Sequence, residues 1–223
     1  MALPFRDIET IFMMIVINTA KYDNHHQSVN AVRRSGNMKV SQEQKAQNRS
    51  RILTEAGRLF REKGFDAVSV AEVMKAAGMT HGGFYGHFES KDDLIAQTIV
   101  HAVGSQSLSD DLSAWIDTYL SKPHREHPDL GCPMAALAGF MRQQAPEARA
   151  SMAQVLAAQI ATLTEIMPGE DAARRRRAAI GSWSAMVGAL ILARSIDNPA
   201  LSDELLSETR AWIDERTMPG DPA

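Results

Sequence analysis

The stretch 69–94, SVAEVMKAAGMTHGGFYGHFESKDDL, limits the possible folds of this 223-residue chain more than any other. Ser69 opens a Ser-x-x-Glu box that closes at Glu72, the mark of a helix start. Val68 and Val73 flank it as a hydrophobic staple. Gly78 stands where a left-handed residue ends that helix. Thr80 is placed to cap a second short helix, and Ser90, with Asp93 three residues on, a third. A helix, a short glycine turn and a second helix form the unit that sets a recognition helix into the DNA major groove.

The second helix has the composition for that task. Phe84 and Phe88 are spaced to turn inward, and around them lie Thr80, His81, Gly82, Gly83, Tyr85, Gly86 and His87. Each glycine costs a helix roughly 1 kcal/mol relative to alanine. Glycine also lets the backbone approach another surface closely, and a phosphate-lined groove is such a surface.

Residues 45–94 resemble the DNA-binding domain of the TetR/AcrR family of transcriptional regulators. The likeness is carried by Arg58-Leu59-Phe60-Arg61-Glu62-Lys63-Gly64-Phe65, then Ala77-Gly78, Thr80, Tyr85, His87-Phe88 and Ser90-Lys91. It implies an all-α fold: an N-terminal three-helix helix-turn-helix domain and a C-terminal helical domain for ligand sensing and dimerisation. It further implies a ligand-responsive regulator, most simply a repressor, released from a palindromic double-stranded DNA operator by a small-molecule effector. By the same resemblance Thr80, Tyr85, His87 and Lys91 contact phosphates, while His81, Gly82 and Gly83 face bases. His81, Gly83 and Gly86 depart from the residues frequent there.

Composition suits such a reading. The single cysteine argues against a disulfide framework and fits a reducing, cytoplasmic compartment. The net charge of −3 is not that of a bulk nucleic-acid binder. Bases gather locally instead, at Lys39, Lys45, Arg49, Arg51, Arg58, Arg61 and Lys63, and would flank the phosphate backbone. Residues 1–37 read as a disordered or over-called extension. Its apolar run, IETIFMMIVI, is too short to span a bilayer, and no membrane partner is expected. The DNA-binding domain is expected at 38–90, the second domain at 91–218 and a polar tail at 219–223.

Beyond residue 94 the periodicity is helical. Helices are expected at 91–107, 110–120, 132–144, 147–167, 171–194 and 202–216, with a loop at 124–131. The helix at 171–194 is apolar nearly all round, which requires burial on both sides. Ile180, Trp183, Val187, Leu190 and Ile191 form one face, while Gly181, Ala185 and Gly188 allow close helix approach. With Leu205, Leu206, Trp212 and Ile213 it points to a homodimer through residues 171–216. Arg174–Arg177 reads as a solvated face paired with Glu170 and Asp171.

Trp115, Tyr119, Met134, Leu137, Phe140, Met141, Met152 and Leu156 are candidates to line an apolar effector pocket. Cys132 is a separate candidate. It sits at an expected helix start before Pro133, where the dipole favours a thiolate, and His124 and His127 lie just upstream. It would sense electrophiles or oxidants. A competing reading makes the chain a helical enzyme, with Cys132 as nucleophile and His124 or His127 as base. No metal site and no cofactor are expected.

Overall fold

A computed structural model of the chain describes residues 42–104 and 111–217. The expectations for 1–37 and for the 219–223 tail fall outside the described residues. All described structure is helical.

The first helix, α1 (Gln42–Lys63), buries Ile52, Leu53, Ala56, Leu59 and Phe60, which share one face at helical spacing. It stops at Gly64, whose φ of 80° is left-handed. Phe65 turns back so that its ring lies 5.2 Å from that of Phe60. Next comes α2 (Val70–Ala76), where the Ser69 hydroxyl accepts from the Glu72 amide at 3.1 Å. The Glu72 carboxylate pairs with the Lys63 ammonium at 2.8 Å and also interacts with the Ser69 backbone amide, the reciprocal half of the box. Val68 and Val73 are both buried.

A 3₁₀ recognition helix (His81–Gly86) follows, and then α3 (Lys91–Gly104). Ser90 caps α3 through the Asp93 amide at 3.0 Å, and the Asp93 carboxylate accepts from the Glu89 amide. One side of α3 packs on α1 and another on the long helix α7. Leu94, Ile95 and Ile99 therefore sit in a core continuous with the rest of the bundle.

The remaining helices are α4 (Leu112–Tyr119), α5 (Lys122–Glu126), α6 (Pro133–Leu137), a 3₁₀ turn (Ala138–Gln143), α7 (Pro146–Ile166), α8 (Ala172–Ser195) and α9 (Pro199–Thr217). Three sequence expectations need correction. The loop expected at 124–131 begins as helix: Pro123 opens α5 behind the Ser121 cap, because proline suits the first turn, where its missing N–H is not needed. The helix expected at 132–144 tightens after Leu137 into the 3₁₀ turn. The last helix starts at Pro199 rather than Ser202, capped by Asn198 through the Leu201 amide.

In α8, Ala179, Trp183, Met186, Leu190 and Ala193 form one inward stripe against α7 and α9. By length and composition α8 is apolar enough to cross a membrane, yet this stripe is committed to the helical core. Only one side is covered. Ile180, Ile191 and Leu192 stand exposed, as do Leu201 and Trp212 of α9. Asp171 caps α8 through the amides of Ala173 and Arg174 at 2.8 and 3.3 Å, and the charges of Arg174 and Arg177 also favour its carboxylate.

Candidate nucleic-acid interface and the Cys132 site

The recognition helix is anchored from below and open above. Phe84 and Phe88 lie four residues apart with rings stacked at 5.6 Å, and both are buried in the core. Thr80, His81, Gly82, Gly83 and Tyr85 are exposed, Tyr85 by 74%. Thr80 occupies the cap position without a cap bond. The 3₁₀ winding already gives the Gly83 amide to the Thr80 carbonyl at 3.0 Å, so the hydroxyl is left facing outward. Gly82 and Gly86 have nothing within 4 Å of where a side chain would begin. A flat backbone strip is thus presented with one phenol projecting from it. His87 and Lys91 are half-buried. Burial, then Lys45 and Arg49, lower the His87 pKa, so its ring is neutral near pH 7. The Lys91 ammonium donates to the Phe65 carbonyl at 2.6 Å.

The bases of α1 mostly face inward or pair locally, which corrects their expected role as a phosphate-facing stripe. Arg49 bonds the His87 carbonyl and the Gln97 side chain, and its guanidinium lies 4.6 Å over the Phe88 ring. Arg58 pairs with Glu55 and Glu62 at 3.2 and 3.1 Å. Arg61 donates to the Asp129 carbonyl at 2.7 Å. Arg49 is therefore a latch on the recognition helix. Sequence could not show this, because its partner lies 38 residues away.

Residues 52–98 match the family described as bacterial regulatory proteins, tetR family. The helix-turn-helix segment of this chain is thus similar to that of the tetR family. Among its relatives, the transcriptional regulator AcrR of Shigella flexneri is 43% identical over 51 residues, which are 23% of this chain and 24% of that protein. The transcriptional repressor Rv1474c of Mycobacterium tuberculosis is 41% identical over 56 residues, 25% of this chain and 30% of that one. Against these curated relatives the likeness thus spans less than a third of their length. The fold likeness is broader. The reduced form of NemR from Escherichia coli superposes with a TM-score of 0.61 at 19% identity, covering 77% of this chain and 97% of that one. A TetR-family regulator from Agrobacterium tumefaciens gives 0.62 at 18%, covering 78% and 100%. The tetR-type fold therefore extends through the helices beyond α3, where sequence likeness has faded.

Beyond that segment, Cys132 is only 5% exposed. It precedes a helix of five residues, too short for much of the dipole expected to favour its thiolate. His124 does not supply charge either. Burial lowers its pKa to about 4, so the ring is neutral at pH 7. Its hydrogen bonds set the tautomer: Nδ1–H donates to the Tyr119 carbonyl at 2.6 Å, and Nε2 accepts from the Cys132 amide at 2.9 Å. With that lone pair taken, His124 is neither a base for the thiol nor a metal ligand beside it. The cysteine-enzyme reading loses its base, and the remaining candidate, His127, is exposed.

Aromatic rings enclose the same spot. Tyr119 meets His124 edge-on at 4.6 Å and Trp183 at 5.4 Å, while Trp115 stacks on Trp183 at 5.9 Å. Burial first, then the nearby Cys132 thiol, push the Tyr119 phenol well up. The hydroxyl lies near the sulfur but makes no well-formed hydrogen bond. Of the eight residues expected to line a pocket, Tyr119, Met134, Leu137, Met141 and Met152 are buried in one core, with Trp115 and Leu156 packed against it. Phe140 departs from the group. Its ring packs on Gly64 at the end of α1, 3.8 Å from the site of a side chain there, and borders a cleft of about 780 Å³ beside Arg61 and Arg194.

Proposed function

We propose that the chain is a DNA-binding transcriptional regulator that acts as a homodimer on an operator with two-fold symmetry, most simply as a repressor. The observation that carries this is the recognition helix, buried through Phe84 and Phe88 and exposed along Thr80, His81, Gly82, Gly83 and Tyr85. Two such helices related by a two-fold would read half-sites about one helical turn, or a multiple of it, apart. The uncovered residues of α8 and α9 supply the surface for the second copy. Gly181 and Gly188 lie seven residues apart on α8, each with nothing within 4 Å of a would-be side chain. The protein would work in the cytoplasm, where its operator is.

Tyr85→Ala tests the interface without disturbing the core, since the ring is largely in solvent. Operator affinity is expected to fall about tenfold on any bound sequence, as for a lost phosphate contact. Substitution at His81 or Gly83 is expected to change the order of preferred sequences instead. Unchanged affinity for Tyr85→Ala on a duplex selected from a random pool would remove this helix from the interface.

The effector reading follows from Cys132, the chain's one thiol, buried beside Tyr119 and His124. With so little room, an adduct on the sulfur must displace its surroundings. A mild quinone or aldehyde is expected to release wild type from DNA. Cys132→Ser is expected to bind normally and stay bound, with mass spectrometry placing the wild-type adduct on Cys132. Equal release of both proteins would leave reversible binding in the apolar core as the signal.

A further inference from the structure

We propose that Arg61 is the staple through which displacement of the 127–132 loop reaches the recognition helix, with α1 as the rigid arm between them. This deepens the Cys132 reading and names its route. Arg61 lies in the last turn of α1, and its guanidinium folds back along the helix. Gly57 makes the room, since a side chain there would begin 3.2 Å from Arg61 Nη1 and 3.4 Å from Thr98 of α3. From that slot Nε donates to the Asp129 carbonyl at 2.7 Å, three residues before Cys132. Among the described residues no carboxylate lies within 4 Å of Arg61, although the Asp129 charge acts on it from further off, and the Asp129 carbonyl is its hydrogen-bond acceptor.

The loop that it grips has little freedom. Arg194 holds α5, the helix that leads into the loop, donating to the Arg125 and His124 carbonyls, and its Nη2 also lies 3.0 Å from where a side chain at Gly131 would begin. The Leu130 and Gly131 amides close turns on His127 and Pro128, and the Cys132 amide is held by His124. Gly131 admits no side chain, which would begin 2.7 Å from the His124 ring. A push at Cys132 therefore moves the Asp129 carbonyl rather than being absorbed. Arg61 then loses its partner while half-buried, a costly state that α1 relieves by moving. Twelve residues earlier on the same helix, about 18 Å away at the rise of an α-helix, Arg49 grips the His87 carbonyl at the end of the recognition helix. One rigid helix thus holds the loop at one end and the DNA-reading element at the other.

The test crosses Arg61→Met, which keeps length and removes the donor, with two ways of disturbing the loop. One is N-ethylmaleimide, which alkylates Cys132. The other is Gly131→Ala, which forces His124 aside without touching the thiol. Affinity is read on a duplex selected by the wild type, with circular dichroism and thermal melting to confirm folding. Arg61→Met alone is expected to bind within threefold of wild type. Each disturbance is expected to cost wild type at least tenfold and the Arg61→Met protein less than threefold. If only N-ethylmaleimide fails to act on wild type, the Cys132 reading falls and the staple stands on the Gly131→Ala arm. If that arm yields no folded protein, the N-ethylmaleimide arm decides alone. Equal losses in both backgrounds, or no loss from any folded disturbance, overturn the staple.

Discussion

Gly188→Glu is expected to abolish dimer formation and lower operator affinity by a factor of 100 or more, although Gly188 lies in α8 and far along the chain from the recognition helix. In the single chain the substitution meets no obstacle, because nothing lies within 4 Å of the position where its side chain begins. The monomer should fold. Around it, Leu192 is 54% exposed and Trp212 42%, with Ile180, Ile191 and Leu201 also uncovered. A second copy on this surface would bring the two glutamates into the buried contact without partners. An unpaired buried carboxylate costs several kcal/mol, more than such an interface can spare. A monomer then offers one recognition helix where the dimer offers two, and the second, tethered contact is lost. Light scattering checks the mass and a mobility-shift titration the affinity. A folded Gly188→Glu protein that stays dimeric with unaltered affinity would place the interface on another surface.

The second large effect is a loss of stability on mild acidification. In the folded chain His124 stays neutral down to about pH 4, whereas an unfolded histidine takes up a proton near pH 6.5. Between these values the unfolded chain binds more protons, so unfolding becomes easier as pH falls. Stability from this residue is fully present above pH 6.5 and lost toward pH 4. The loss amounts to about 2 kcal/mol by pH 5 and about 3 kcal/mol over the whole window. His124→Gln isolates it, since an amide can donate toward Tyr119 and accept from Cys132 without titrating. Urea unfolding at pH 7 and pH 5 should show wild type losing about 2 kcal/mol more than the variant. Equal losses would mean that the His124 ring titrates as freely as in solvent.

Much of the helix-turn-helix segment was legible in the sequence because its signals are local. Ser69 with Glu72, Ser90 with Asp93, Gly78 after α2 and the Phe84–Phe88 spacing each act within four residues, so propensity and capping reveal them. For α8 the sequence showed an all-round apolar helix and put Ile180, Trp183, Val187, Leu190 and Ile191 on one face, whereas the packed fold turns Ala179, Trp183, Met186, Leu190 and Ala193 inward and leaves Ile180 and Ile191 exposed. The tertiary structure decided what the charged and titratable groups do. Arg49 and Arg61 read as outward bases on an exposed-looking helix; their partners, His87 and Asp129, stand 38 and 68 residues away. His124 read as a candidate base upstream of Cys132, and it is a neutral spacer because burial and two backbone partners fix its tautomer. Caps and periodicities are set by neighbours along the chain. The direction of a long polar side chain, and the charge of a buried ring, depend on which distant backbone carbonyl or amide the packed fold brings beside it.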